Sequence, residues 1–138
     1  GFRVTPPSPD LLNKLKEMLP PYYPVGNPTD LTGDSTPEQF LDAGLAFVES
    51  GEYDALFLIP LFGVPGMVPD KTEELLLELV ERSHIPVVAT AVPTTSEVED
   101  VLHRMEEKGL PIYPTPERAA SALYGLRQYG KLKRADPR

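Results

Sequence analysis

Two segments combine residue types and spacing that suit chemistry. Ile59–Asp70 reads IPLFGVPGMVPD and lies directly after the most apolar run of the chain. Gly63 and Gly66 let a backbone approach a ligand closely, and a helix starting near Pro69 offers free N–H groups at its positive dipole end. That combination suits an anion such as a phosphate. The same residues also suit an ordinary strand-to-helix loop whose glycines serve packing. The second segment, Pro24–Thr36, reads PVGNPTDLTGDST; its Asn27, Asp30 and Asp34 can meet a ligand or simply bond neighbouring amides in a long turn. Neither a Walker lysine pattern nor G-x-G-x-x-G is present, which disfavours an autonomous nucleotide site.

The other chemically tempting residues carry less. His84 precedes a strand and His103 sits inside a helix, and neither has a second histidine or a carboxylate at metal-ligand spacing. No metal site is expected. Glu99, Asp100, Glu106 and Glu107 read as a solvated helix face. Thr94, Thr95 and Ser96 read as a helix start, and no Ser-His-Asp arrangement can be built. The residues describe a binding half-site without a catalytic group.

These segments need elements to hold them. A hydroxyl, a proline and an acid follow one another at Ser8-Pro9-Asp10, Thr36-Pro37-Glu38 and Thr115-Pro116-Glu117. The hydroxyl caps a first-turn N–H, proline fits the first helical position, and the acid meets the helix dipole. Apolar spacing continues each helix: Leu11, Leu15, Met18 and Leu19 before Pro20-Pro21; Leu41, Leu45 and Val48 up to Gly51; Ala119, Ala120, Leu123 and Leu126 up to about Tyr129. Two more helices run from about Pro69 to Ser83 and through Val98, Val101, Leu102 and Met105 to Gly109. Between them lie the short apolar runs Ala55–Ile59, Pro86–Ala91 and Leu110–Tyr113, with Phe2-Arg3-Val4 as a fourth strand. Runs without polar alternation read as parallel strands covered on both faces. The whole reads as one α/β domain over residues 1–130, a doubly wound parallel sheet, followed by a polar tail over 131–138.

Composition narrows the function classes. The 138 residues carry 13 Lys and Arg against 21 Asp and Glu, a net charge of −8, which argues against nucleic-acid and anionic-membrane partners. There is no Cys, hence no disulfide frame and no thiolate chemistry, as suits a cytoplasmic protein. No apolar run approaches the roughly 20 residues of a bilayer span. Seventeen prolines exceed the usual share of roughly 5%, but their placement at element boundaries and a hydrophobic content of 41% favour a folded domain.

Two longer stretches carry a resemblance. Gly26-Asn27-Pro28-Thr29-Asp30-Leu31-Thr32-Gly33-Asp34 leads into Thr36-Pro37-Glu38, and Gly109-Leu110-Pro111-Ile112-Tyr113-Pro114-Thr115-Pro116-Glu117-Arg118-Ala119-Ala120 stands near the end. Together they resemble the NDP-forming acyl-CoA synthetases, which include the ADP-forming acetate–CoA ligases and belong to the succinyl-CoA synthetase superfamily. The resemblance covers nearly the whole chain and implies the C-terminal flavodoxin-like domain of the α subunit, a three-layer αβα fold. The family joins an acid to CoA with ATP or GTP through an acyl phosphate and a phosphohistidine. CoA and Mg-ATP or ADP would serve the whole enzyme, none being bound by this chain alone, and the CoA-binding and ATP-grasp domains or subunits would be its partners.

Phe62-Gly63-Val64-Pro65-Gly66-Met67-Val68 is similar to a phosphate-facing Phe-Gly-Gly-Ile-Val loop of that family, with two residues inserted. The resemblance thus implies Gly63, Gly66, Met67 and Val68 as phosphate or substrate contacts, with Asn27, Pro28 and Asp30 as a loop signature. Neither His84 nor His103 is flanked by glycines like the family's phosphorylated histidine. The family's opening strand, Gly-rich loop and helix have no counterpart before Gly1–Val4, so the strand at Phe2–Val4 is expected to be displaced, swapped or paired with another molecule, a route to a homo-oligomer through an exposed strand edge. The chain alone would be inactive. A second reading is a non-catalytic assembly or regulatory module, as in fused lysine acetyltransferases with the same domains. A third, resting on fold analogy alone, is a flavin or nucleotide binder.

Overall fold

The computed structural model describes residues 1–135. In chain order these form α1 (Pro9–Met18), α2 (Pro37–Ser50), β1 (Leu56–Leu58), α3 (Pro69–Arg82), β2 (Val87–Thr90), α4 (Ser96–Glu107), β3 (Ile112–Tyr113) and α5 (Pro116–Ala135). The strands make one parallel sheet in the order β1-β2-β3. Leu56 pairs with Val87 and Leu58 with Ala89, and Ala89 in turn pairs with Ile112.

The helix starts follow their local chemistry. The hydroxyl of Ser8 accepts from Leu11 N and that of Thr95 from Val98 N, while Thr36 and Gln39 cap α2 reciprocally. Proline stands in the first turn of α1, α2 and α3, where its missing N–H leaves no bond unmade.

The period of two along a strand decides which helix packs where. Val87 and Ala89 point to the face covered by α2, α3 and α4, where Leu45, Leu76, Leu79, Val101 and Met105 are buried. Val88 points the other way and packs with Ala119 and Leu123 of α5. The helix α1 lies outside this arrangement, with Leu11 and Leu15 buried against Ala43, Ala46 and Phe47 of α2. At roughly 1.5–3 kcal/mol per fully buried large aliphatic side chain, the α2–α3–α4 face is the main source of stability. The α5 face adds a smaller cluster.

Two boundaries differ from the sequence reading. Phe2-Arg3-Val4 forms no strand. Phe2 instead meets Tyr124 of α5 edge to face, ring centres 6.3 Å apart, and the carbonyl of Thr5 accepts from Asn27 Nδ2 and the Tyr53 hydroxyl, each at 3.1 Å. The prolines at 6 and 7 supply no N–H with which such a strand could extend a ladder. The helix α5 passes through Gly125 and Gly130 to Ala135 rather than ending near Tyr129, so residues 131–135 of the expected tail are helical. A single glycine in a helix costs only about 1 kcal/mol, which the good helix formers after Gly130 offset. The remainder of that tail, 136–138, lies outside the described residues.

Candidate anion site at the carboxyl ends of the strands

Because α3, α4 and α5 each return antiparallel to the strand they follow, their N-termini gather at the carboxyl end of the sheet, the usual position of ligands in open α/β sheets. Three of the loops there touch. Gly66 lies so close to the Pro24–Thr36 loop that a Cβ built on it would stand 2.4 Å from the carbonyl oxygen of Ser35. Gly63, at φ +93°, lies beside the β2–α4 loop, where its Cβ would stand 3.5 Å from Thr94 Oγ1. Gly63 therefore holds a backbone conformation that other residues rarely adopt.

The four residues that the sequence assigned to phosphate or substrate separate into two roles. Met67 is buried, at 2% exposure, and its N–H donates to the Val64 carbonyl at 3.1 Å; it anchors the loop. Gly66 is taken up by packing on Ser35. Gly63 and Val68 remain at the surface, Val68 being 55% exposed as the N-cap of α3. The loop-signature residues stand apart. Asn27, joined to Pro28 by a cis peptide bond, binds the Thr5 carbonyl, and Asp30 Oδ1 accepts from Thr32 N at 2.8 Å within its own turn.

Electrostatics distinguishes α3 from its neighbours. Glu38 and Glu117 fold back onto their own backbone N–H groups and onto the hydroxyls of Thr36 and Thr115, which holds both carboxyls below the usual range; Lys71 adds to the effect on Glu38. These acids occupy the first turns of α2 and α5. Val68 brings no side-chain acceptor to α3, and its first-turn acid, Asp70, turns away to Arg104 Nη2 at 3.0 Å. The first turn of α3 thus keeps an uncapped positive end, with Lys71 in it. The surrounding loops expose Ile59, Leu61 and Val92 by 58–62%.

A further cluster was not read from the sequence. Asp34 accepts from the hydroxyls of Tyr22 at 2.6 Å, Tyr23 at 3.2 Å and Thr32. The Thr32 bond, followed by that of Tyr22, holds the Asp34 carboxyl below its usual range, and the bond to Asp34 pushes the Tyr22 hydroxyl up to about 12. The cluster fixes the loop that Gly66 packs on. Spacing alone gave no sign of it beyond the Tyr-Tyr pair. His84 and His103 are both exposed, and His103 Nε2 lies 3.4 Å from Glu107. Among the described residues no group of three His, Cys, Asp or Glu is placed to hold a metal ion, and no helix is long and apolar enough to cross a membrane.

The chain is an open, parallel α/β sheet covered by helices, and comparisons with known proteins show what it is similar to. No protein-family model matches the chain. The α subunit of the ADP-forming acetate–CoA ligase II of Pyrococcus furiosus is 27% identical over 124 residues, 87% of this chain and 27% of that subunit. The α subunit of ligase I from the same organism is 28% identical over 130 residues, 90% of this chain and 28% of its own. A crystal structure of a Pyrococcus horikoshii OT3 protein superposes with a TM-score of 0.81 at 25% identity, covering 91% of this chain and 29% of that one. The dinucleotide-forming acetyl-coenzyme A synthetase 1 of Candidatus Korarchaeum cryptofilum, in complex with phosphate and ADP, has the same fold at a TM-score of 0.75 and 24% identity, over 92% of this chain and 27% of its own. The homologues of this chain are therefore α subunits of ADP-forming acetate–CoA ligases, and it shares its fold with part of the Pyrococcus horikoshii OT3 protein and of the Korarchaeum synthetase. The chain spans about 28% of the length of the curated relatives it matches.

Proposed function

We propose that this chain is the phosphate-facing flavodoxin-like domain of an acid–CoA ligase that converts acid, CoA and ATP to acyl-CoA, ADP and phosphate. The observation that carries the reading is the first turn of α3, uncapped at the carboxyl end of the sheet while its neighbours are closed by their own side chains. Amide N–H groups at such a turn donate to phosphate oxygens, and the helix dipole favours the negative charge. The pairing of Asp70 with Arg104 supports this by drawing the nearest carboxylate away from the incoming anion. Gly63, in the loop that leads into α3, supports it by allowing the left-handed backbone of that turn, at φ +93°.

In this reading the covalent chemistry runs through an acyl phosphate and a phosphohistidine carried on another domain, since both histidines here lie outside the site. CoA and Mg-ATP are held by CoA-binding and ATP-grasp parts, and this chain stabilises the phosphate as it passes between them. The test is ATP formation from acetyl-CoA, ADP and phosphate by the chain alone and with CoA-binding and ATP-grasp components added. No turnover alone and turnover in the mixture is expected. Turnover by the chain alone, or none in a mixture whose other components bind CoA and nucleotide, overturns the reading.

A further inference from the structure

The first turns of α2 and α3 follow one pattern and finish differently. In α2 the cap is Thr36, a proline follows and Glu38 is next; in α3 the same places hold Val68, Pro69 and Asp70. The two N–H groups after the proline have no acceptor inside either helix. In α2 the Glu38 carboxylate takes its own N–H, and the Thr36 hydroxyl takes that of Gln39 at 3.4 Å. In α5 Glu117 and Thr115 do the same for the N–H groups of Glu117 and Arg118. In α3 those of Asp70 and Lys71 have no acceptor among the described residues, and the first bond of the helix runs from Thr72 N to Val68 O at 2.9 Å.

The acid that would take them is held by another helix. Arg104 of α4 donates from Nη2 to Asp70 Oδ1 at 3.0 Å and from Nε to Glu73 Oε2 at 2.8 Å. The two arms of this bridge are unequal. The Glu73 side chain is 9% exposed and takes Lys108 Nζ at 2.7 Å as well, so it fixes the guanidinium. The Asp70 side chain is 81% exposed, and an ion pair so open to solvent holds weakly.

We propose, on the reading that this turn receives phosphate, that Asp70 is a built-in stopper for it and Arg104 the positioning residue that holds the stopper out. Released from Arg104, Asp70 stands where Glu38 and Glu117 stand when they close their own helices. Its charge there repels an incoming anion and takes the N–H groups the anion needs. Arginine suits the task because one planar fork serves two carboxylates at once. The weak arm makes the turn adjustable, since the ligand and Asp70 compete for the same donors.

The test is a double-mutant cycle, read by titrating the ¹⁵N-labelled chain with inorganic phosphate. Arg104→Gln is expected to weaken binding at the Asp70 and Lys71 amides about two- to fivefold, the effect of one charge at a helix end. Asp70→Asn is expected to recover that loss in the Arg104→Gln background and to strengthen binding less in wild type. Without phosphate, the Asp70 and Lys71 amides of Arg104→Gln should shift, and should return in the double variant. Lys108→Gln takes a cation from Glu73 without touching Asp70, so it should leave affinity unchanged. Arg104→Lys keeps a partner for Glu73 but offers no fork to Asp70, and should also weaken binding if glutamine disturbs the fold. Wild-type affinity in Arg104→Gln and Arg104→Lys overturns the proposal. An equal gain from Asp70→Asn in both backgrounds does so too, because Asp70 would then be a plain repulsive charge. No phosphate binding by the wild type overturns the reading of the turn, and the stopper with it.

Discussion

Gly66 and Ser35 are 31 positions apart in the chain, yet a Cβ on Gly66 would stand 2.4 Å from the Ser35 carbonyl oxygen. The obstacle is backbone, so neither residue can yield without moving a loop. Gly66→Ala should therefore destabilise the chain by about 1–3 kcal/mol, the range for overpacked sites. Urea denaturation checks it, and a midpoint unchanged from wild type would mean that the loops are not held together here.

Gly63→Ala tests backbone conformation instead of crowding, because the nearest atom, Thr94 Oγ1, is at an ordinary 3.5 Å. At φ +93° an alanine is strained, at a cost of about 1–3 kcal/mol. Relief of that strain means loop movement, so phosphate affinity should fall along with stability. Isothermal calorimetry with inorganic phosphate on the folded variant separates the two effects.

Glu73 joins α3 to α4. It is 7% exposed, and its carboxylate takes Arg104 Nε at 2.8 Å and Lys108 Nζ at 2.7 Å. The bond to Arg104 first, and then that to Lys108, holds its carboxyl below the ordinary 4.5. A depressed folded-state value stabilises the fold above the unfolded value, and the contribution is lost as pH falls through the folded one. Glu73→Gln should therefore lower stability near neutral pH and flatten its decline below about pH 4.5, as followed by urea midpoints across pH. An equally steep acid limb in the variant would contradict this.

Tyr22 provides the basic counterpart. Its hydroxyl donates to Asp34, and its value is raised from 10.0 to about 12. A raised value stabilises the fold fully below the unfolded value and loses that contribution as pH rises toward the folded one. Asp34→Asn should return the Tyr22 ring resonances to a titration near that of a free tyrosine, read by NMR. A titration still near that of the wild type would assign the shift to something other than Asp34.

How far the sequence spoke depended on the range of the interactions. The hydroxyl–proline–acid triplets read correctly as starts of α1, α2 and α5 because capping is settled within four residues. The three strands of the sheet were legible as apolar runs for the same local reason. Phe2–Val4 was not, because a strand needs a neighbour; Phe2 meets the Tyr124 ring instead, and the Thr5 carbonyl just beyond is taken by the Tyr53 hydroxyl. The glycines of the candidate site were visible, but their division was not. Only the fold brings Ser35 to Gly66 and Thr94 to Gly63, and so distinguishes a glycine needed for crowding from one needed for its turn. Likewise, the open end of α3 emerges only when Asp70 is seen to turn toward Arg104.

The proposed function requires the first turn of α3 to bind phosphate. Titration of the ¹⁵N-labelled chain with inorganic phosphate, followed by amide chemical shifts, reads that binding residue by residue. Saturable shifts are expected at Gly63, Asp70 and Lys71, with the first turns of α2 and α5 unmoved because Glu38 and Glu117 already occupy them. Shifts confined to α2 or α5, or none at α3 at saturating phosphate, would contradict it.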